Sequence, residues 1–223
     1  MVDQFIHQYN YDADNRITSV QTSSDGINWE TDAEYEYYAH GPLARVLMGD
    51  QKVQAMDYAY TLQGWLKGVN SETVGVADIG NDVGTNVDSA AQDAFGYSLN
   101  YYDGDYSPIT GTNPFVVAQE QNVNSKNLYN GNIKTMVTSL MDTDQKALST
   151  LQSNYTYDQL NRIKDYKAYA LGSSDTKYEA TYDFDRNGNL TSLSRKEGAT
   201  TFDDFNYEYK TCLLYTSPSP RDS

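Results

Sequence analysis

One nine-residue word that returns along the chain limits its possible folds more than any bulk property does. Tyr9-Asn-Tyr11-Asp12-Ala-Asp-Asn15-Arg16-Ile17 comes back as Tyr155-Thr-Tyr157-Asp158-Gln-Leu-Asn161-Arg162-Ile163, and again as Tyr182-Asp-Phe184-Asp185-Arg-Asn-Gly188-Asn189-Leu190. Weaker copies start at Tyr35 and Tyr58, and a partial one, Tyr207-Glu-Tyr209, stands near the end. Within each cluster successive copies begin 23 to 27 residues apart, the spacing of solenoids, propellers and arrays.

Counting from the first tyrosine as position 1, each part of the word has a physical use. Aromatics at positions 1 and 3 project from one face of a strand, because side chains alternate with period two. Position 7 is Asn15, Gly41, Gly64, Asn161 or Gly188, the two residue types that best tolerate positive φ. Aspartate at position 4 (Asp12, Asp158, Asp185) suits a turn, where its carboxylate accepts backbone N–H groups. An aliphatic at position 9 and an apolar residue at position 12 (Val20, Val46, Val69, Tyr166, Leu193) begin a returning strand. The unit is a β-hairpin. The odd spacing from 9 to 12 requires either a bulge or two burial environments. The hairpin also implies that Gly188→Val is the more damaging change and Gly198→Val the milder one, with only Gly188 at positive φ.

Composition restricts the interior. The 223 residues include 21 Tyr against 6 Phe and 2 Trp, so most aromatic rings carry a hydroxyl that needs a partner or water. A thick apolar core is not expected; a sheet with both faces partly wet is. The 31 Asp and Glu against 16 Lys and Arg leave a net charge of -15, which disfavours nucleic acid and anionic membrane surfaces as partners. No apolar run approaches the ~20 residues of a membrane-spanning helix, and Met1 to Asp12 lacks the pattern of a signal peptide.

Hairpin repeats are expected over 1–69 and 128–211, with an irregular Gly-, Asn- and Asp-rich insertion over 70–127 that holds a short strand near Gly96 to Tyr102; the hairpin signal resumes, in weak form, at Tyr129-Asn-Gly131-Asn132-Ile133. The spacing of Met136, Leu140 and Met141 suggests a short helix within Lys134 to Leu151. Residues 212–223 read differently. Cys212-Leu-Leu-Tyr-Thr-Ser-Pro-Ser-Pro-Arg-Asp222 resembles the translation of one reading frame of a transposase adapter used in shotgun sequencing, and is expected to be an artefact outside the fold. Without Cys212, the sole cysteine, there is neither a disulfide nor thiolate chemistry.

The pattern Tyr-x-[Tyr/Phe]-Asp-x-x-[Gly/Asn]-[Asn/Arg]-[Leu/Ile] resembles the tyrosine-aspartate repeat of the Rhs family, found also in teneurin shells and in the large cocoon component of insecticidal toxin complexes. The resemblance implies an all-β fold in which hairpins join edge to edge into a strip that spirals into a hollow shell. It implies a secreted or cell-surface bacterial protein whose partners are neighbouring repeats and an enclosed C-terminal cargo domain. The residues carried over are structural: Tyr9, Tyr11, Asp12, Asn15, Tyr155, Tyr157, Asp158, Asn161, Tyr182, Phe184, Asp185 and Gly188.

Other chemistry is weaker. Asp183-Phe-Asp185-Arg-Asn187-Gly188 matches the first half of an EF-hand loop, but its twelfth position is Ser194 and no helix flanks it. His7 and His40 stand apart from any nucleophile or ligand spacing. No catalytic, cofactor or metal residue is therefore assigned, and an enzyme on a β-propeller or β-helix is the least favoured reading. The runner-up is a carbohydrate- or protein-binding module that uses exposed Tyr and Trp, including Trp29 and Trp65, against a glycan or surface receptor.

Overall fold

The computed structural model describes residues 4–72, 74, 79–80, 90–91, 93–108, 113–115, 126–144 and 146–209. The adapter-like tail from Cys212 lies outside them. All regular structure among the described residues is β: β1 (Ile6–Tyr11), β2 (Ile17–Ser23), β3 (Glu30–Tyr37), β4 (Leu43–Met48), β5 (Gln54–Tyr60), β6 (Leu66–Val69), β7 (Phe95–Asn100), β8 (Thr135–Leu140), β9 (Leu151–Tyr157), β10 (Ile163–Ala170), β11 (Thr176–Phe184), β12 (Leu190–Glu197) and β13 (Thr200–Asn206). They form one open antiparallel sheet in sequence order.

The helix expected within 134–151 is not formed. Thr135, Val137 and Thr138 are β-branched, and burial in β8 alternates with period two. Pairing to β7 on one side and β9 on the other outweighs the helical spacing of the methionines, as tertiary context often does.

Every hairpin has the same internal register. Position 3 faces position 9, position 2 faces 11 and position 1 faces 12: Tyr11↔Ile17, Asn10↔Ser19 and Tyr9↔Val20 in the first, Tyr157↔Ile163, Thr156↔Asp165 and Tyr155↔Tyr166 in a later one. The copies starting at Tyr35, Tyr58 and Tyr182 repeat it. The residue at position 10 (Thr18, Ala44, Lys67, Lys164, Thr191) therefore has no opposite number. It is a bulge, and it brings positions 9 and 12 to the aromatic face together. β7 and β8 obey the rule as well, with Leu99↔Met136 and Asn100↔Thr135 as positions 1, 12, 2 and 11. The sequence shows this hairpin only in pieces, the short strand near Gly96 to Tyr102 and the turn signal at Tyr129 to Ile133, because Leu99 stands where the other copies have tyrosine; their pairing is given by the structure.

The junctions between hairpins are equally regular. Position 11 faces the residue just before the next position 1, and position 12 faces the one before that. Ser19↔Glu34 and Val20↔Ala33 set the pattern. It recurs in Arg45↔Asp57, Gly68↔Ser98, Thr135↔Asn154, Asp165↔Thr181 and Ser192↔Asn206. Position 2 and the residue before the next position 1 thus share one partner, so each hairpin is advanced two residues beyond its predecessor, or one per strand. That ratio of stagger to strand number gives the ~36° tilt of an eight-stranded barrel with shear 8. A strip built this way coils instead of lying flat.

The face opposite the tyrosines is covered in the middle of the sheet. Ala59, Gly68, Ser98, Val137 and Gln152 lie side by side across β5 to β9, all buried. Glycine is needed at two points of this face because other segments rest directly on it: a side chain at Gly96 would strike the Ser71 carbonyl, and one at Gly68 the Phe115 ring. The contact is polar as much as apolar. Ser98 donates to buried Glu72, and Lys67, 3% exposed, bonds Asp105 and Asn100 at 2.7 Å each. The outer strands match the expectation of a sheet with wet faces; the middle departs from it, because Ser71, Glu72 and Phe115 lie against one side.

Candidate assembly interface

The turn ends of the hairpins stand beside one another along one rim of the sheet, and their side chains link each hairpin to the next. Asp12 N–H donates to the Arg16 carbonyl and Asn15 N–H to the Asp12 carbonyl, at 2.9 and 3.1 Å. Asp158 and Asn161, Asp185 and Gly188, and Thr61 and Gly64 reproduce these bonds. The result is a three-residue loop closed by a residue in the left-handed region: φ is 64° at Asn15, 62° at Asn161, 82° at Gly64 and 91° at Gly188. Gly198 is also left-handed, at 53°, which corrects the expectation that Gly188 alone of the two occupies positive φ. The two-residue connection between β12 and β13 needs such a residue too.

Aspartate at position 4 holds the loop from within. One carboxylate oxygen of Asp158 accepts the N–H groups of Leu160 and Arg162 at 2.8 and 3.0 Å, and the other accepts Arg162 Nε at 2.6 Å. Asp12 does the same with Asp14 and Arg16. Asp185 uses Asn187 and Asn189, with Asn189 Nδ2 replacing the guanidinium. The backbone N–H of Arg162 holds Asp158 below the usual carboxylate range, as that of Arg16 does Asp12, while the Asn189 amide leads the same effect at Asp185. Asp185 thereby spends its oxygens on the half EF-hand loop, and among the described residues no three His, Cys, Asp or Glu converge as a metal cage would require.

Two contacts then cross from hairpin to hairpin. The hydroxyl of a position-3 tyrosine donates to the position-9 carbonyl of the preceding hairpin. Tyr37 reaches Ile17, Tyr101 reaches Leu66 and Tyr157 reaches Ile133, each at 2.8 Å, and Tyr209 reaches Leu190 at 2.9 Å. Where position 8 is arginine, its side chain packs forward onto the next position-3 ring: the guanidinium carbon of Arg16 lies 4.6 Å from the centre of Tyr37, and that of Arg162 4.7 Å from Phe184. Trp65 takes the same place 5.0 Å from Tyr101. Arg162 Nη1 also donates to the Asp185 carbonyl at 2.9 Å.

The remaining motif residues fall around this framework. Tyr155 and Tyr182 are half-buried on the aromatic face, with Tyr155 5.6 Å from Tyr166. Tyr9 and Tyr11, on edge strand β1, are 49% and 54% exposed. His7 and His40 are exposed and lie beside Tyr9 and Tyr38. Trp29 is half-buried. The roles of Tyr101 and Trp65 escaped the sequence, although Trp65 stands at position 8 of the Tyr58 copy and its alignment with Arg16 was available as a signal.

No family model matches the chain, and no curated protein does. Among solved structures it is similar to the crystal structures of TcdB2-TccC3-Cdc42 and TcdB2-TccC3, each at a TM-score of 0.55 and 17% identity over 91% of this chain and 9% of that one. TcdB2-TccC3 without its hypervariable C-terminal region gives the same score and identity over 8% of its length. The chain therefore spans under a tenth of the proteins it is similar to. At this identity the likeness is one of fold, and it supports an Rhs-like fold for this chain.

Proposed function

We propose that this chain is a wall segment of an Rhs-type shell, a structural element whose strip of hairpins, extended by neighbouring repeats, encloses a C-terminal cargo domain. The carrying observation is the single register kept at all six junctions. A register independent of connection length suits a part meant to be continued, and its steady stagger makes a continued strip coil. The fold likeness to TcdB2-TccC3 supports the same reading. A secreted or cell-surface protein with a toxin as cargo belongs to this proposal through the repeat resemblance.

The alternative, a glycan- or protein-binding module built on exposed aromatics, loses one of its two tryptophans. Trp65 is half-buried with its ring against Tyr101 and serves the junction between hairpins.

Protease protection tests enclosure. In a protein where this strip is flanked by further repeats and followed by a reporter domain, the reporter should survive protease until the wall is denatured. Digestion at the rate of the free reporter would overturn it.

A further inference from the structure

The bulge of the β5–β6 hairpin carries a buried amine. Lys67, at position 10, is 3% exposed, and an ammonium so placed is costly unless it is paired. Its Nζ donates to Asp105 Oδ1 and to Asn100 Oδ1 at 2.7 Å each, with the centre of the Phe115 ring 5.9 Å away. Asp105 is itself buried and accepts the Tyr101 N–H through Oδ2 at 2.8 Å. Asn100 turns its Nδ2 toward the Thr135 carbonyl, so the oxygen side of its carboxamide faces the lysine. An amine, a carboxamide and a carboxyl group able to carry protons between them thus meet at one point between β6 and β7.

We propose that Lys67 and Asn100 join in an isopeptide bond that the chain forms on itself, with Asp105 as the catalytic residue. Asp105 takes one proton from Nζ along the hydrogen bond that already joins them, which frees the nitrogen lone pair. Nζ then attacks Asn100 Cγ: the Nζ–Cγ bond forms, the Cγ–Nδ2 bond breaks, and the electron pair of the broken bond leaves with the nitrogen. Nζ gives up two protons in all, and Asp105 passes both to the departing nitrogen. Ammonium is released, the carboxylate is restored, and no oxidant, reductant or other reactant is consumed. Hydrogen-bond contact between amine and amide supplies the proximity such a step needs, and the shared carboxyl group supplies acid–base catalysis. Asn100 is only half-buried, which leaves ammonium a way out. The new amide N–H and the Tyr101 N–H then serve the Asp105 oxygens.

The bond would brace the sheet at its thinnest seam. β6 has four residues and pairs with β7 through Gly68↔Ser98 and Val69↔Tyr97 alone, fewer pairs than at any other junction between described strands. A covalent link there restricts the unfolded chain as a disulfide would, in a chain whose sole cysteine lies outside the described residues. Lys134, at position 10 of the next hairpin, is the contrast. Its Nζ lies 3.1 Å from Asn127 Oδ1 and 3.2 Å from Asp103 Oδ1, but the Asp103 side chain is 76% exposed. The Asn127 amide and the Lys134 ammonium hold Asp103 below the ordinary carboxylate value, so it is a poor proton acceptor and Lys134 stays unlinked.

Mass spectrometry of the purified full chain tests the bond. The folded chain should weigh about 17 Da less than its sequence, the mass of one ammonia, and chymotrypsin should release Lys67 and Asn100 in one branched peptide. The branched peptide is decisive because ring closure at Asn130-Gly131 or Asn187-Gly188 would lose the same mass without joining two peptides. Lys67→Arg should keep the full mass. Asp105→Asn should keep the near-ultraviolet circular dichroism of the parent and link at least about a hundredfold more slowly; linkage at the parent rate refutes the role of Asp105 and the proposal with it. Should that variant misfold, the parent mass alone decides. Full mass in a parent chain whose β6 and β7 amides are protected from exchange would overturn the proposal and leave the wall reading standing, as would a branched peptide built on Lys134 instead of Lys67.

Discussion

At the scale of single residues, the repeat word separates tyrosines that pack from tyrosines that also bond. Tyr157 sends its hydroxyl to the Ile133 carbonyl, whereas Tyr182 contributes its ring to the aromatic face. Tyr157→Phe removes a bond and leaves a part-buried carbonyl short of a donor, at a cost of about 1 kcal/mol. Tyr182→Phe should fall within about 0.5 kcal/mol of the parent, and urea melts of the two variants check the contrast. The turn carboxylates carry a pH signature. Backbone and side-chain donors lower Asp12, Asp158 and Asp185 from the ordinary value of 3.8, so they bind fewer protons folded than unfolded. Their contribution is complete above the unfolded pKa and lost as pH falls through the folded one. Melting temperature should therefore hold from pH 7 to about 5 and fall below about pH 4. An Asp158→Asn variant should start lower and fall less steeply.

At the scale of the hairpin, the turn and the bulge do separate work. The turn needs a left-handed residue at position 7, which asparagine supplies near 60° and glycine supplies at Gly188 with φ of 91°. Gly188→Val should cost a few kcal/mol, whereas Gly188→Asn should cost less than half as much, since Asn15 and Asn161 hold the same position. Thermal melts of both variants settle the order. The bulge sets the faces. Deleting Lys164, the unpaired residue at position 10, would move Asp165 and Tyr166 to opposite sides of β10, the consequence of any one-residue slip in a strand. Removing one residue from the 171–175 connection should leave the sheet intact, because the six connections already differ widely in length. Near-ultraviolet circular dichroism, which follows tyrosine packing, should collapse for the first deletion and persist for the second.

At the scale of the whole sheet, described residues of the connections after β6 and β7, Ser71, Glu72 and Phe115 among them, cover the middle of the face opposite the tyrosines. Gly96→Val places its side chain against the Ser71 backbone carbonyl, so the covering segment must lift or the sheet must bend. A loss of about 1–3 kcal/mol is expected, the usual cost of overpacking. Faster exchange should appear at Ser98 and Val137, while β1 to β3 keep their parent rates. Uniform loosening of all strands would mean that the cover is not a separate layer.

The amino-acid sequence by itself determined the unit: two aromatics two residues apart, aspartate, a residue suited to positive φ and two apolar positions read as one hairpin because each answers a local need, met within about a dozen residues. Its alternative of bulge or mixed burial was left open at Ile17 and Val20, since only the partner strand shows which residue is skipped. Tertiary structure alone decided the rest. The Leu99 hairpin showed only as two unconnected signals, near Gly96 to Tyr102 and at Tyr129 to Ile133, because its halves lie far apart in the chain and its first position lacks tyrosine. The helix suggested by Met136, Leu140 and Met141 was refused because β7 and β9 offer that segment two ladders of hydrogen bonds. The stitches from Tyr37, Tyr101, Tyr157 and Tyr209, and the packing of Arg16, Trp65 and Arg162, join residues about twenty or more apart. Only a common register brings them together, and that register arises from pairing between strands, which no local propensity encodes.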